Sequence, residues 1–299
     1  MREILAFYSE PVAGESSAPF DALPADVASL AHIVPGLLIH QHIAFAYGET
    51  LSAERIAEAQ LRTVDEILAS VMEHDGAALS QARPQDGRTV GVCRHFALLL
   101  VAMLRHKGIP ARARCGFGAY FEKGKFVDHW VAEYWDGRRW IMVDPQMDEV
   151  QRKLFHVDFD PLDVPRDRFV IAGGAWAMCR AGKADPEAFG IMDMSGWWFV
   201  AGNVVRDVAA LNNAVMLPWD VWGAMPQPGE TPDFAQFDAW AALTREPDTH
   251  FAELRAVYAS DDLHVPPVVF NAVLQRPEQV RSPAGMTGER WLAPMPRTP

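Results

Sequence analysis

Cysteine is scarce in this 299-residue chain: Cys93, Cys115 and Cys179 are odd in number and widely spaced, and no Cys-x-x-Cys pair occurs. That argues against a disulfide framework and against a thiolate zinc site. Basic residues are also outnumbered, 27 Lys and Arg against 39 Asp and Glu for a net charge of −12. A surface of that sign repels nucleic acid and anionic membranes, so neither is an expected partner. No apolar run reaches the roughly 20 residues that span a bilayer. The most apolar early stretch, Val34 to His42, is broken by Pro35, Gly36, His40 and His42. The amino terminus has neither the long apolar segment nor the small-residue cleavage site of a secretory leader, and a cytoplasmic location is expected. Internal repeats and low-complexity blocks are lacking too, and no cofactor is expected.

What is present is an ordinary globular composition, 49% hydrophobic and 22% charged, enough for one large core or two smaller ones. Residues 1–80 read as a mostly helical part of the core, with Ser52 as a cap ahead of apolar residues at helical spacing from Ile56 to Val71. Residues 81–160 read as the chemistry-bearing core. Within them, Phe96, Leu99, Leu100, Met103 and Leu104 recur at intervals of three and four, which predicts a helix that Gly108 and Pro110 terminate. Alternating runs follow from Ala111, Phe126 and Trp140, so helix then antiparallel strands gives an α+β order. Residues 161–299 read as a Trp-rich, mostly helical extension packed on the core, with Trp197, Trp198, Trp219 and Trp222 as core side chains. The Pro- and Gly-rich tail from Arg281 is expected to be loosely ordered.

Cys93 opens the predicted helix two residues after Gly91. Free backbone N–H groups and the positive end of the helix dipole there favour thiolate over thiol. A nucleophile also needs a base, and the base an orienting partner. Asp136-Gly137 is a two-residue hairpin signal, and with that loop His129 lies opposite Asp144, Cβ atoms about 4.5–5.5 Å apart. A four-residue loop, Asp136 to Arg139, instead sets Gln146 opposite His129 and leaves Asp144 diagonal on the same face. The hairpin alone has plainer readings: Asp128-His129 as a surface pair, and Asp144-Pro145 as a strand end. What favours chemistry is the joint occurrence of thiol, imidazole and carboxylate at element boundaries.

Other polar residues read as structural. His95, two positions from Cys93 on one helix, does not share its face. His106 is expected to meet the last helix carbonyls. His40 and His42 lack a third metal ligand. Cys115 and Cys179 read as buried hydrophobes.

The motifs also carry a family resemblance. Gly91-x-Cys93 opens a helix ending in Gly108-Ile109-Pro110-Ala111-Arg112. Asp128-His129 follows, with Glu133 four residues beyond the histidine, then Trp140 and Asp144-Pro145. This order resembles the transglutaminase-like superfamily of papain-type thiol enzymes, in particular its bacterial members and, in the Asp-His pair, peptide N-glycanase. The resemblance covers about residues 85 to 150. It implies a nucleophile-bearing helix packed on an antiparallel sheet, with Cys93 as nucleophile, His129 as general base and then acid, and Asp144 as the residue that orients the imidazole. Trp130 directly after His129 departs from the family pattern, in which a small residue comes first and tryptophan second.

The expected activity is acyl transfer or hydrolysis of an amide or ester through a thioester. A small molecule or peptide would be the acyl donor, and water or an amine the acceptor. Two rivals stand beside it: a non-catalytic binding or scaffold protein that retains the fold, and a metallohydrolase using Cys93, His129 and Asp144 as ligands.

Overall fold

The computed structural model describes residues 1–11 and 18–280, and the tail from Arg281 lies outside them. The first 80 residues form helices α1 (Arg2–Phe7), α2 (Val27–Leu37), α3 (Ala53–Ala57) and α4 (Val64–His74), with strand β1 (Leu38–His40) between α2 and α3. The helical pattern after Ser52 therefore divides in two. Ser52 caps α3 through the Arg55 N–H, and Thr63 and Glu66 exchange hydrogen bonds in a reciprocal cap that starts α4. Helix α3 ends at Ala57, and Ile56 on it is exposed. Strand β1 pairs in parallel with β2 (Thr89–Gly91), which sets His40 beside Gly91.

Helix α5 (Cys93–His106) is buried along almost its whole length. It packs on a sheet begun by β3 (Ala111–Gly118), β4 (Phe126–Trp135) and β5 (Trp140–Val143), all antiparallel neighbours. Ala111, Ala113 and Cys115 on β3, with Trp130 and Ala132 on β4, are buried in the same cluster as the helix side chains. The intervening Val131 belongs instead to a cluster with Met142, Met147, Val164 and Phe169. That alternation is the period of two that a sheet covered on both faces requires.

The register corrects the two-residue loop. Trp135 pairs with Trp140 and Ala132 with Val143, so Asp136 to Arg139 form a four-residue connection. The Asp136 carboxylate holds it, accepting the N–H groups of Arg138 and Arg139 at 2.7 Å each. Asp144 is thus diagonal to His129.

Helix α6 (Glu149–Leu154) follows, then β6 (Phe169–Ile171), α7 (Ala172–Arg180), β7 (Phe189–Ile191), β8 (Met194–Ser195) and α8 (Trp197–Leu211). After these come β9 (Asp220–Val221), α9 (Phe234–Arg245), α10 (Phe251–Tyr258), β10 (Val268–Asn271) and β11 (Arg276–Gln279). The part beyond residue 160 is therefore not helices alone. Strands β6, β7 and β8 complete the central sheet in the order β6-β3-β4-β7-β8, with β5 also on β4. The Trp-rich region makes a second apolar cluster around Trp176, Trp222, Phe237 and Trp240, against which Trp197 and Trp198 pack.

A buried charge cluster joins the two parts. Arg114 donates to both carboxylate oxygens of Asp207, at 3.0 and 2.8 Å, and to Glu133 at 3.2 Å. Asp207 also accepts the Cys115 N–H at 3.0 Å, so α8 satisfies part of β3 that β6 does not cover.

Candidate active site

Cys93 owes its place to the turn before it. Val92 is extended and caps the helix with its own carbonyl, while its N–H donates to Nδ1 of His95 at 3.1 Å. The other ring nitrogen of His95 bonds the Leu61 carbonyl at 2.8 Å, so this imidazole is neutral with its proton on Nε2. Burial, with the Arg94 charge adding to it, pushes its pKa down to about 3. His95 therefore builds the start of α5 and takes no part as a base. Gly91 makes room for it: a Cβ there would lie 3.0 Å from Cβ of His95.

Strand β4 supplies the next piece. Its edge away from β3 pairs with β7 at residues 126 and 127 and with β5 at 132 to 135, leaving 128 to 131 with no strand beside them. Trp135 sends its N–H to Pro110 on the β3 side, so by alternation the Trp130 N–H points into this gap. The sulfur of Cys93 lies beside it, where the backbone amides of Trp130 and Arg94 favour its charged form.

His129 precedes Trp130, and its Nε2 bonds Oδ2 of Asp144 at 2.9 Å. Asp144 sits just past the end of β5 and reaches the ring from its diagonal position. The carboxylate engages Nε2 and leaves Nδ1 without that partner. Among the described residues, no hydrogen bond joins Cys93 to the imidazole, whose Nε2 bonds Asp144. Thiol and imidazole are therefore not a preformed hydrogen-bonded pair.

The electrostatics correct one expectation. Burial pushes the Cys93 thiol well above its usual range, the nearby Asp128 charge adds to this, and the two amides only partly oppose it. The resting sulfur is therefore a neutral thiol, and the helix start does not make it a thiolate unaided. Asp128 is itself raised by burial, against the opposing pull of Arg206 and the Asn203 side chain.

Access is restricted: Cys93 is 6% exposed and His129 and Asp144 2% each. Phe121 stands edge-on to the imidazole at 4.8 Å, and Phe169 at 6.2 Å. His40 is close by. Burial and the imidazoles of His42, His129 and His95 hold it well below the ordinary histidine range. The remaining predictions fare differently. His106 bonds Asp21 at 2.8 Å and not the helix carbonyls. Cys115 and Cys179 are buried, as read from their frequency. Glu133 lies in the Arg112–Arg114–Arg166 cluster. Among the described residues, no group of three or more His, Cys, Asp or Glu is arranged to hold a metal ion, and no helix is long and apolar enough to cross a membrane.

Residues 51–145, which include Cys93, His129 and Asp144, match the transglutaminase-like superfamily. These residues form a transglutaminase-like core. The match begins earlier than the motifs alone, taking in α3, α4 and β2. A solved structure of a protein proposed to be a cysteine protease, from Cytophaga hutchinsonii, is similar over 56% of this chain and 45% of that one, at 20% identity and a TM-score of 0.33. The chain thus spans under half the length of that protein. No curated protein matches. A transglutaminase-like core with a thiol at its helix start supports a cysteine-based enzyme in general terms.

Two contributors escape sequence reasoning. Tyr120, whose hydroxyl bonds Asp144 at 2.7 Å, lies in an irregular loop with no motif around it. Asn203, which bonds Asp128 at 2.7 Å, comes from a helix 75 residues further on.

Proposed function

We propose that this protein is a cysteine-dependent acyl-transfer enzyme acting in the cytoplasm. The Cys93 sulfur attacks an amide or ester carbonyl while Nδ1 of His129 takes the thiol proton. Free amides at the start of α5 receive the developing oxyanion. The imidazolium passes its proton to the departing amine or alcohol, leaving a thioester on Cys93. Water or an amine then gives its proton to His129 and attacks the thioester, releasing an acid or a new amide and restoring the thiol. Asp144 keeps the proton of the neutral ring on Nε2 and stabilises the imidazolium. The acyl donor is a small molecule or peptide.

The observation that carries this reading is the 2.9 Å bond between His129 and Asp144, one residue along the strand from the Trp130 amide that favours the charged form of the Cys93 sulfur. A second reading, a binding protein on the same fold, draws on the near-complete burial of the thiol and imidazole.

p-Nitrophenyl acetate separates them. The enzyme reading predicts a burst of p-nitrophenol with the acetyl group found on Cys93, and a burst slowed by about 10²- to 10⁴-fold in His129→Ala. A folded protein that never carries acetyl on Cys93 contradicts it.

A further inference from the structure

Asp144 is a buried carboxylate, and such a group is costly unless donors satisfy its oxygens. Three converge on it. The Gln146 N–H donates to Oδ1 at 3.1 Å, Nε2 of His129 bonds Oδ2 at 2.9 Å, and the Tyr120 hydroxyl donates to the same Oδ2 at 2.7 Å. One oxygen thus serves two donors, and the shorter bond comes from a residue with no place in the Cys–His–Asp motif.

Tyr120 is built into this position. It is 8% exposed, and its ring packs on Phe121 at 4.5 Å and on Phe159 at 5.2 Å. It also stands edge-on to the His129 ring itself, centroids 6.0 Å apart at 87°. Burial and the Asp144 charge hold the phenol well above its ordinary range, which favours the protonated, donating form. An ionised carboxylate only accepts, so the direction of this bond is settled.

We propose that Tyr120 is a positioning residue for the acyl-transfer site, fixing Oδ2 of Asp144 at the point where the His129 Nε2–H must find it. Without the hydroxyl, the carboxylate turns about its last side-chain bond and the imidazole loses its single tautomer. Nδ1 is then no longer held as the base facing Cys93. This rests on the acyl-transfer reading above for its consequence in catalysis, but the tautomer is a property of the resting protein.

The test is Tyr120→Phe, which keeps the ring and removes only the hydroxyl. Nitrogen-15 NMR of labelled histidine reads the tautomer of His129 without any substrate. The Nε2–H form should dominate in the wild type and give way to a mixture in Tyr120→Phe. In acetylation by p-nitrophenyl acetate, kcat should fall about tenfold with KM unchanged.

The double variant with Asp144→Asn should be no slower than Asp144→Asn alone, because Tyr120 acts through that carboxylate. A His129 tautomer unchanged in Tyr120→Phe overturns the proposal, as do losses that simply multiply in the double variant. If Tyr120→Phe is poorly folded, Phe121→Leu serves as the packing control. The proposal requires this variant to keep the Nε2–H tautomer, and a tautomer lost equally there would mean packing alone is responsible. A wild type that shows the Nε2–H tautomer but no acetylation of Cys93 contradicts the acyl-transfer reading and leaves the Tyr120 arm to be decided by NMR.

Discussion

Asn203 on α8 donates a 2.7 Å hydrogen bond to Asp128, the residue immediately before His129 on β4. Asn203 is in turn bound by Arg206 at 3.0 Å, so the carboxy-terminal half reaches the strand that carries the imidazole through a buried polar chain. Asp128 is also the charge that, after burial, most disfavours the Cys93 thiolate.

Asp128→Asn should therefore ease ionisation of the thiol while keeping an oxygen for Asn203. Removing a like charge of this kind is expected to raise the rate of Cys93 alkylation at pH 8 by a few-fold to about tenfold. Iodoacetamide kinetics read by mass spectrometry check this, and an unchanged or slower rate counts against the electrostatic role given to Asp128.

The Arg114–Asp207 pair is fully buried and bidentate. Asp207→Ala leaves a guanidinium without its main partner and should destabilise the fold by about 3–5 kcal/mol. In the double variant with Arg114→Met, most of that loss should be recovered. Urea unfolding of the two variants provides the comparison.

Gly116 lies opposite His129 in the β3–β4 ladder. A Cβ there would sit 2.4 Å from the Val170 carbonyl oxygen and 2.8 Å from Cα of Ile171, both backbone atoms of β6. Gly116→Ala should cost about 1–3 kcal/mol by forcing β6 away. Its effect should extend to Cys93 reactivity, because Phe169 of β6 packs beside the imidazole.

His95 makes stability fall with acid. Its folded pKa, pushed down to about 3 by burial, lies below the ordinary value of 6.5. Protons therefore favour the unfolded chain: the contribution is complete above about pH 6.5 and is lost progressively as pH falls towards 3. Glu133, held low by Arg112, Arg114 and Arg166 against the opposing effect of burial, adds a second loss below the ordinary carboxylate range. His95→Gln, which keeps an acceptor for the Val92 N–H, should flatten the urea midpoint between pH 7 and 5 relative to the wild type.

Much of this arrangement is legible in the chain because it is local. The period of α5, the alternation of β3 and β4, and the placement of Cys93 at a helix start all follow from neighbouring residues. The division between α3 and α4 was equally open to view, since Thr63 and Glu66 form a capping box in sequence. The hairpin register was not. Asp136-Gly137 suits a two-residue turn, but Asp136 also accepts the amides of Arg138 and Arg139, and that longer loop prevails. The neutral state of Cys93 was also out of reach, because burial and the Asp128 charge arise only from tertiary packing. Tyr120 meets Asp144 across 24 residues of sheet and loop, a separation at which no periodicity operates.

Competition among the three thiols for iodoacetamide tests the central claim most directly. At pH 7.5, mass spectrometry of the folded protein should show Cys93 modified first, ahead of Cys115 and Cys179, and that lead should vanish in His129→Ala. Alkylation of Cys93 no faster than that of the other two, or a lead that survives without His129, contradicts a base-activated nucleophile.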